Sequence, residues 1–322
     1  MKTLVLSMIS IAATVAAMTA CTSESDPIDE IKTDVKLPIE FQSSILGVET
    51  KSIKGGNQFI NDDKIALYGY KKEVPTANYT ENIFLTNKTY TYNNDGFTTT
   101  DAYWERGATH YFYAYYPVAT TTASSTGYVL TEATENAAPS VKVVCKENVG
   151  IDDDLLWAEP TSNGIAFTGA SISNVTLPFE HKLSRVSFLV KLEDNKVPTS
   201  SLSKITFDVD KNEGSLNIIT GALTETSGTI HLSKTLSAAT NITTAGINGE
   251  DFSPMVLPGS TISNLKVTIN GQELAVTLGT TPALASGKIT TITITVKSSS
   301  ISMDSNITEW TAGGTPGEGT VQ

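Results

Sequence analysis

The 322-residue chain carries a formal net charge of −12, which argues against nucleic-acid binding through a basic patch. Threonine and serine are abundant, charged residues make up only 17% of the chain, and no long run rich in Ala, Leu, Glu and Lys occurs. This composition favours β-sheet over helix. About 300 residues remain after an N-terminal leader, and a chain of that length forms roughly two domains.

The first 21 residues have the features of an export leader. Met1 and Lys2 give a positive start, residues 4–17 are mostly apolar, and small residues precede Cys21. The apolar run is short for a membrane span, and no stop-transfer pattern follows. The cysteine is typical of a bacterial lipoprotein signal, which predicts a signal peptide over 1–20, lipidation of Cys21 and an acidic tether over 21–34. A plain signal peptide with an incidental cysteine is the alternative.

The first strand of the mature chain is predicted from strict alternation. Val35, Leu37, Ile39 and Phe41 alternate with polar residues and with Pro38, as in a half-buried strand. Proline cannot donate a ladder hydrogen bond, so we expect an edge strand or one paired on a single side.

The stretch that follows, 47–58, contains adjacent glycines together with Lys51 and Lys54. It is predicted to be an exposed, protease-accessible linker, with an ordinary surface loop as the alternative.

Aromatic residues dominate the next strands. A compact strand is predicted over 64–70, strand pieces over 83–85 and 89–92, and a turn over 93–96. Residues 109–116 carry aromatics on both faces, which predicts a central strand packed on each side. A sugar-stacking platform that includes Tyr103, Trp104 and Tyr111 is the alternative interpretation.

The second half shows repeated short strand patterns. Residues 164–174 look like an inter-domain connection, and a strand begins at Val175. Further strands are separated by turns such as 212–214 and 220–221, a spacing typical of a β-sandwich. The tail, 301–322, begins with alternating apolar residues, continues through Trp310 and ends in a glycine-rich stretch. Such a tail can add to an open sheet edge as an extended strand.

No set of residues points to catalysis, a cofactor or a metal. The three histidines lie in unrelated segments without catalytic or metal-ligand spacing. Cys145 lies in a strand-like run, which predicts a buried thiol. The adjacent aspartates 152–154 lack the spaced oxygens of a calcium loop, which favours a solvated turn. We therefore expect a protein that is not an enzyme.

Several stretches together resemble the fimbrillin family, the subunits of lipoprotein-derived pili in Bacteroidales bacteria. The resemblance spans nearly the whole mature chain and is carried by Cys21, the early strand at 39–41, residues 103–104 leading to 111–117, residues 154–158, residues 177–186, and residues 307–310 with the glycine-rich tail. It implies an all-β fold of two tandem transthyretin-like β-sandwich domains, over 35–170 and 171–300. The expected protein is a stalk or tip subunit of an adhesive pilus. A surface-anchored glycan-binding lipoprotein is the alternative.

The family also implies a mechanism. A subunit is exported as an outer-membrane lipoprotein, a protease removes its first strand together with the lipid, and the vacated groove accepts an extended strand from the next subunit at the cell surface. The expected partners are other pilin subunits, the outer-membrane lipid held through Cys21 before maturation, and a surface glycan or protein as adhesion target. The residues that would take these roles are Val35, Leu37, Ile39 and Phe41 in the displaced strand and Ile301, Met303, Ile307 and Trp310 in the donor strand.

The sequence departs from the family pattern at the cleavage site. Family members are commonly cut after an arginine, but the first arginine that follows Cys21 is Arg106. Lys51 and Lys54 are the basic residues of the predicted linker, so they are the candidate maturation sites. An uncut subunit would stay lipid-anchored and serve as the base of a fibre or as a monomeric surface protein.

Overall fold

A computed structural model describes residues 36–46, 59–74, 78–94, 96–122, 127–169, 172–195, 197–248, 253–277, 281–297 and 301–309. These residues form strands, turns and irregular segments, which confirms the predicted all-β class. The strands are Phe41–Leu46 (β1), Lys64–Tyr70 (β2), Ile83–Asn93 (β3), Gly96–Thr98 (β4), Thr109–Tyr116 (β5), Tyr128–Thr131 (β6), Ser140–Val144 (β7), Leu156–Ala158 (β8), Ile165–Ala166 (β9), Val175–His181 (β10), Ser184–Leu192 (β11), Ser201–Asn217 (β12), Leu223–Asn241 (β13), Ile247–Asn248 (β14), Met255–Val256 (β15), Ile262–Ile269 (β16), Gln272–Ala275 (β17), Lys288–Val296 (β18) and Ile301–Glu309 (β19).

The first sheet closes into a ring of strands. Its order is β2-β3-β4-β1-β10-β8-β5, the pairing of β2 with β5 closes it, and β9 attaches to β5. Strand β1 runs parallel to β10, whereas its neighbour on the other side, β4, is antiparallel. Side chains that point into the ring form one apolar core that includes Phe97, Phe112 and Phe179.

The other two sheets pack face to face as a sandwich. One has the order β14-β11-β18-β19, with β15 also paired to β11. The other has the order β17-β16-β12-β7-β6, with β13 paired along β12. The rings of Phe188 on β11 and Phe207 on β12 have centroids 5.3 Å apart. The same apolar core extends to Tyr68 and Tyr115 of β2 and β5, on the outer face of the ring.

Strand pairings cross the predicted domain boundary at position 170 in both directions. Strand β10 lies beyond that position, yet it pairs with β1 and β8 in the ring. Strands β6 and β7 precede it, yet β7 pairs with β12 in the sandwich. The division into domains over 35–170 and 171–300 stays a prediction.

Several predicted elements have the expected bounds. Strands β2 and β5 span 64–70 and 109–116 as predicted, and β5 lies between β2 and β8 with aromatic side chains buried on both faces. The predicted turn at 212–214 is wrong, because β12 continues through it with register shifts. A β-carbon on Gly214 would lie 2.7 Å from Leu257 Cδ2, so this glycine permits close packing rather than a turn.

Candidate strand-exchange site

The segment 37–46 fills one position of the ring and is paired on both of its sides. The carbonyl of Leu37 accepts a hydrogen bond from the Trp104 amide, and the Ile39 amide donates to Ala102, both at 3.0 Å. From Phe41 onward the six residues of β1 pair in parallel with residues 175–180 of β10. Pro38 has no amide hydrogen and forms an isolated bridge to Tyr103, and the regular strand begins after it, at Phe41. The strand then continues to Leu46, past the end at Phe41 that the sequence predicts.

Alternate side chains of this segment enter the core of the ring. Ile39 is fully buried and Phe41 is 2% exposed, whereas Gln42 and Ser44 face solvent. Leu37 and Ile45 are half-buried and pack against the same core. The segment therefore supplies part of the apolar core of the ring.

Aromatic rings hold Phe41 from two directions. Its ring lies edge-on to Tyr90 and Phe112, with centroids 5.3 and 5.0 Å away. On the neighbouring strand, a β-carbon on Gly96 would lie 2.7 Å from the carbonyl oxygen of Phe41. A strand backbone at this position therefore approaches β4 as closely as a glycine allows.

A buried polar pair anchors the far end of β10. His181 Nδ1 lies 2.5 Å from Asp154 Oδ2, and both side chains are almost completely buried. The Lys182 amide donates to the carbonyl of Leu155 at 2.8 Å, next to this pair. Sequence reasoning placed Asp154 in a solvated turn, which is wrong. The two residues are 27 positions apart and neither has a recognisable spacing, so the pair was not visible before the fold.

The candidate donor strand lies at the edge of the sandwich. All nine residues of β19 pair with β18 in antiparallel register, and in the described part of the chain β19 has no other strand neighbour. The register pairs Ile301 with Val296 and Met303 with Ile294. Ile307 is 46% exposed, so much of its side chain lies in solvent.

Several predicted site residues lie outside the described residues. These are the lipidation residue Cys21, the candidate cleavage residues Lys51 and Lys54, Val35 of the first strand and Trp310 of the tail.

The predicted aromatic platform does not form from the three proposed rings. Trp104 is 6% exposed and lies edge-on to His110 and Phe112, inside the ring. Tyr111 is partly buried and packs against the core, while Tyr103 is 40% exposed. A sugar-stacking surface needs several exposed rings on one face.

The Cys145 thiol is buried in the apolar core of the sandwich. Burial, with a smaller contribution from Glu147, raises the pKa of the Cys145 thiol to about 12, so the predicted buried thiol is confirmed. In the described part of the chain, no group of three or more His, Cys, Asp and Glu side chains is placed to hold a metal ion. Nor do the described residues include a helix able to cross a membrane.

Solved structures with the same fold come from Bacteroides species. A candidate cell adhesion protein from Bacteroides ovatus superposes with a TM-score of 0.55 at 18% identity, covering 87% of this chain and 100% of that one. A fimbrial protein from Bacteroides vulgatus gives 0.54 at 15% identity, covering 84% and 99%. A candidate cell adhesion protein from Bacteroides uniformis gives 0.51 at 19% identity, covering 87% and 99%. No curated protein matches the chain.

The described strands form a closed ring joined to a sandwich whose outermost described strand is β19, which is an all-β architecture. The family model described as fimbrillin-like matches residues 50–310. The chain therefore belongs to the fimbrillin-like family, which confirms the resemblance found in the sequence.

Proposed function

We propose that this protein is a structural subunit, stalk or tip, of an adhesive cell-surface pilus assembled by proteolysis-triggered strand exchange. The observation that carries the proposal is the position of the segment 37–46. It completes the ring with buried Ile39 and Phe41, and the predicted linker with Lys51 and Lys54 follows it directly in the chain. A cut in that linker separates the segment from the rest of the ring, and it leaves every strand of the described residues intact.

Loss of the segment would open a groove between β10 and β4. Residues 175–180 of β10 would lose their pairing with β1, and two large pockets of the core would empty. Each buried side chain of this size stabilises the fold by about 1.5–3 kcal/mol, and unpaired backbone groups add to the penalty. The opened groove would therefore bind an extended apolar strand strongly, and a cut makes the exchange effectively irreversible.

The rest of the chain has a place in this scheme. Lipid on Cys21 holds the precursor at the outer membrane, and cutting after Lys51 or Lys54 releases it to the cell surface. Other pilin subunits supply and receive the exchanged strand. The ring and the sheet pair would be the two tandem transthyretin-like domains of the family, with β10 belonging to the ring and β6 and β7 to the sheet pair. A subunit that is never cut would remain as a lipid-held anchor.

The test is a controlled cut. Residues 22–322 are purified and nicked gently with a lysine-specific protease, the new N-terminus is mapped, and the product is run unboiled on a denaturing gel. A cut at Lys51 or Lys54 followed by a detergent-resistant ladder is the expected result. A Lys51→Gln, Lys54→Gln variant is the matched control, because it keeps the fold and should give neither cut nor ladder.

Deletion of 301–322 should abolish the ladder while leaving the cut. A clean cut at either lysine with no ladder from the full-length tail would overturn strand exchange for this chain.

A further inference from the structure

Two segments of this chain share one pattern of residues at alternate positions. Residues 39–45 read Ile-Glu-Phe-Gln-Ser-Ser-Ile, and residues 301–307 read Ile-Ser-Met-Asp-Ser-Asn-Ile. In the first segment, alternate positions face the core of the ring: Ile39, Phe41, Ser43 and Ile45. The corresponding positions of the second segment carry Ile, Met, Ser and Ile in the same order. The outward positions are polar in both segments.

We propose that β19 of a second copy of this chain occupies the groove in one fixed register, with Ile301 at the position of Ile39 and Ile307 at that of Ile45. The inference rests on the proposed strand exchange and adds its partner, direction and register. Met303 takes the place of Phe41, and Ser305 takes that of Ser43. Methionine is flexible enough to fill a pocket shaped for another large side chain. The chain is therefore self-complementary, and its partner is another copy of itself.

Neighbouring registers fail at the two most buried positions. A slip of two residues in one direction puts Ser305 in the pocket of Phe41, and a slip in the other puts Ser299 in the pocket of Ile39. Both pockets are at most 2% exposed, so a serine there leaves a cavity and buries a hydroxyl group. A slip of one residue turns the polar face inward.

The direction of the strand is fixed by the same pattern. Running β19 the opposite way would again place Ser305 in the pocket of Phe41 and would put Met303 at the position of Ser43. The one antiparallel register that keeps apolar residues in both pockets puts Lys297 at the position of Ile45, which packs against the core, so the proposal assigns the donor the direction of β1, parallel to β10. A strand whose inward residues read the same in both directions would not select one.

In its present position, β19 lacks contacts that the groove would provide. Within the described residues it is paired along one side, by β18, whereas the segment 37–46 is paired on one side by β10 and on the other by 102–104 and β4. Ile307 is 46% exposed on β19, whereas Ile45 packs against the core of the ring. Moving into the groove would exchange pairing on one side for pairing on two sides and would bury more of the Ile307 side chain.

Disulfide trapping measures the register directly. Thr176 of β10 is exposed and pairs with Gln42, so in the proposed register Asp304 of the donor lies opposite Thr176. One preparation of residues 22–322 carries Thr176→Cys, and a second carries Asp304→Cys. The two are nicked together, allowed to polymerise and oxidised. Because each chain carries one new cysteine, the expected crosslink forms only between copies. Cys145 is buried and stays in place.

Matched variants report the competing registers. With Ser302→Cys or Asn306→Cys as donor, a disulfide to Thr176→Cys would indicate a slip of two residues in one direction or the other. A Gln42→Cys, Thr176→Cys pair in the uncut chain is the positive control, because these residues are register partners.

The outcomes separate this inference from the proposed function. Polymer with the Asp304→Cys crosslink at least 10-fold above the Ser302→Cys and Asn306→Cys crosslinks supports the register. Polymer with the strongest crosslink at either other position, or with no preference, overturns it while leaving strand exchange intact. If the nicked wild-type protein forms no polymer at all, strand exchange itself is wrong and the inference falls with it.

A second variant tests the pocket match without cysteines. Met303→Asp would put a carboxylate in the pocket of Phe41 and should reduce ladder formation at least 10-fold. Met303→Phe would put back the side chain of the native strand and should form ladders like the wild type. The outward Asp304→Asn is the control and should polymerise like wild type. Normal polymerisation of Met303→Asp would overturn the assignment of this residue to the Phe41 pocket.

Discussion

Truncation of Phe41 is the sharpest test of the claim that the segment 37–46 is held by its pockets. Phe41 is 2% exposed, and its ring packs edge-on against Tyr90 and Phe112 at 5.3 and 5.0 Å. Replacing a buried phenylalanine by alanine costs about 3–5 kcal/mol, and these two ring contacts favour the upper part of that range. Phe41→Ala should therefore lower the free energy of unfolding of the uncut protein by about 4 kcal/mol.

Urea unfolding of residues 22–322 measures this loss, with Gln42→Ala as the control. Gln42 is exposed on the same strand, so its truncation should change stability by less than about 0.5 kcal/mol. In nicked protein, a loss of about 4 kcal/mol corresponds to roughly 1,000-fold weaker binding of the cut strand. If Phe41→Ala costs less than about 1 kcal/mol, the pocket does not hold the strand and the reasoning is refuted.

Three other measurements test the packing around the groove. Gly96→Ala should weaken the binding of both the native strand and any donor strand, because the added β-carbon would contact the carbonyl oxygen of Phe41. Thr98→Ala on the same short strand is the control and should not weaken it. The yield of the ladder after nicking measures both effects. Cys145, whose pKa burial raises to about 12, should resist thiol reagents at pH 7 in folded protein and react after denaturation, and rapid labelling of the native state would contradict the buried position. Burial lowers the pKa of His110 in the folded protein. Below about pH 6.5 the unfolded chain therefore binds a proton at this histidine more readily than the folded chain does, and the free energy of unfolding should fall as the pH drops below that value. His110→Gln should flatten this slope in unfolding curves taken between pH 7 and 5, and an unchanged slope would assign it to other groups.

The local patterns of the chain predicted its strands well where alternation or aromatic content was strong. Strands β2 and β5 have the predicted bounds, because a short run with apolar residues on both faces is stable as a strand buried on both sides. For the long strands β12 and β13, the sequence predicts only short strands separated by turns. Glycines and polar residues interrupt their patterns, and pairing with neighbouring strands carries the backbone through those interruptions.

The candidate site divides in the same way. The alternation at 37–41 and in the tail, and the lysines between the first strand and the ring, are visible in sequence because each is a local pattern. The sequence could not show that Phe41 fills a pocket between Tyr90 and Phe112, or that Asp154 lies beside His181. Those contacts join residues far apart in the chain.

What the sequence determined by itself is the all-β class and two segments with the same order of residues at alternate positions, while the export leader stays a prediction. What only the tertiary structure decided is how these parts relate. It places β1 between β10 and β4, where β1 completes the ring. Among the described strands, it places β19 at the edge of its sheet. The physical reason is that a strand's side-chain pattern is local, whereas the pocket it fills is built from several strands brought together by folding.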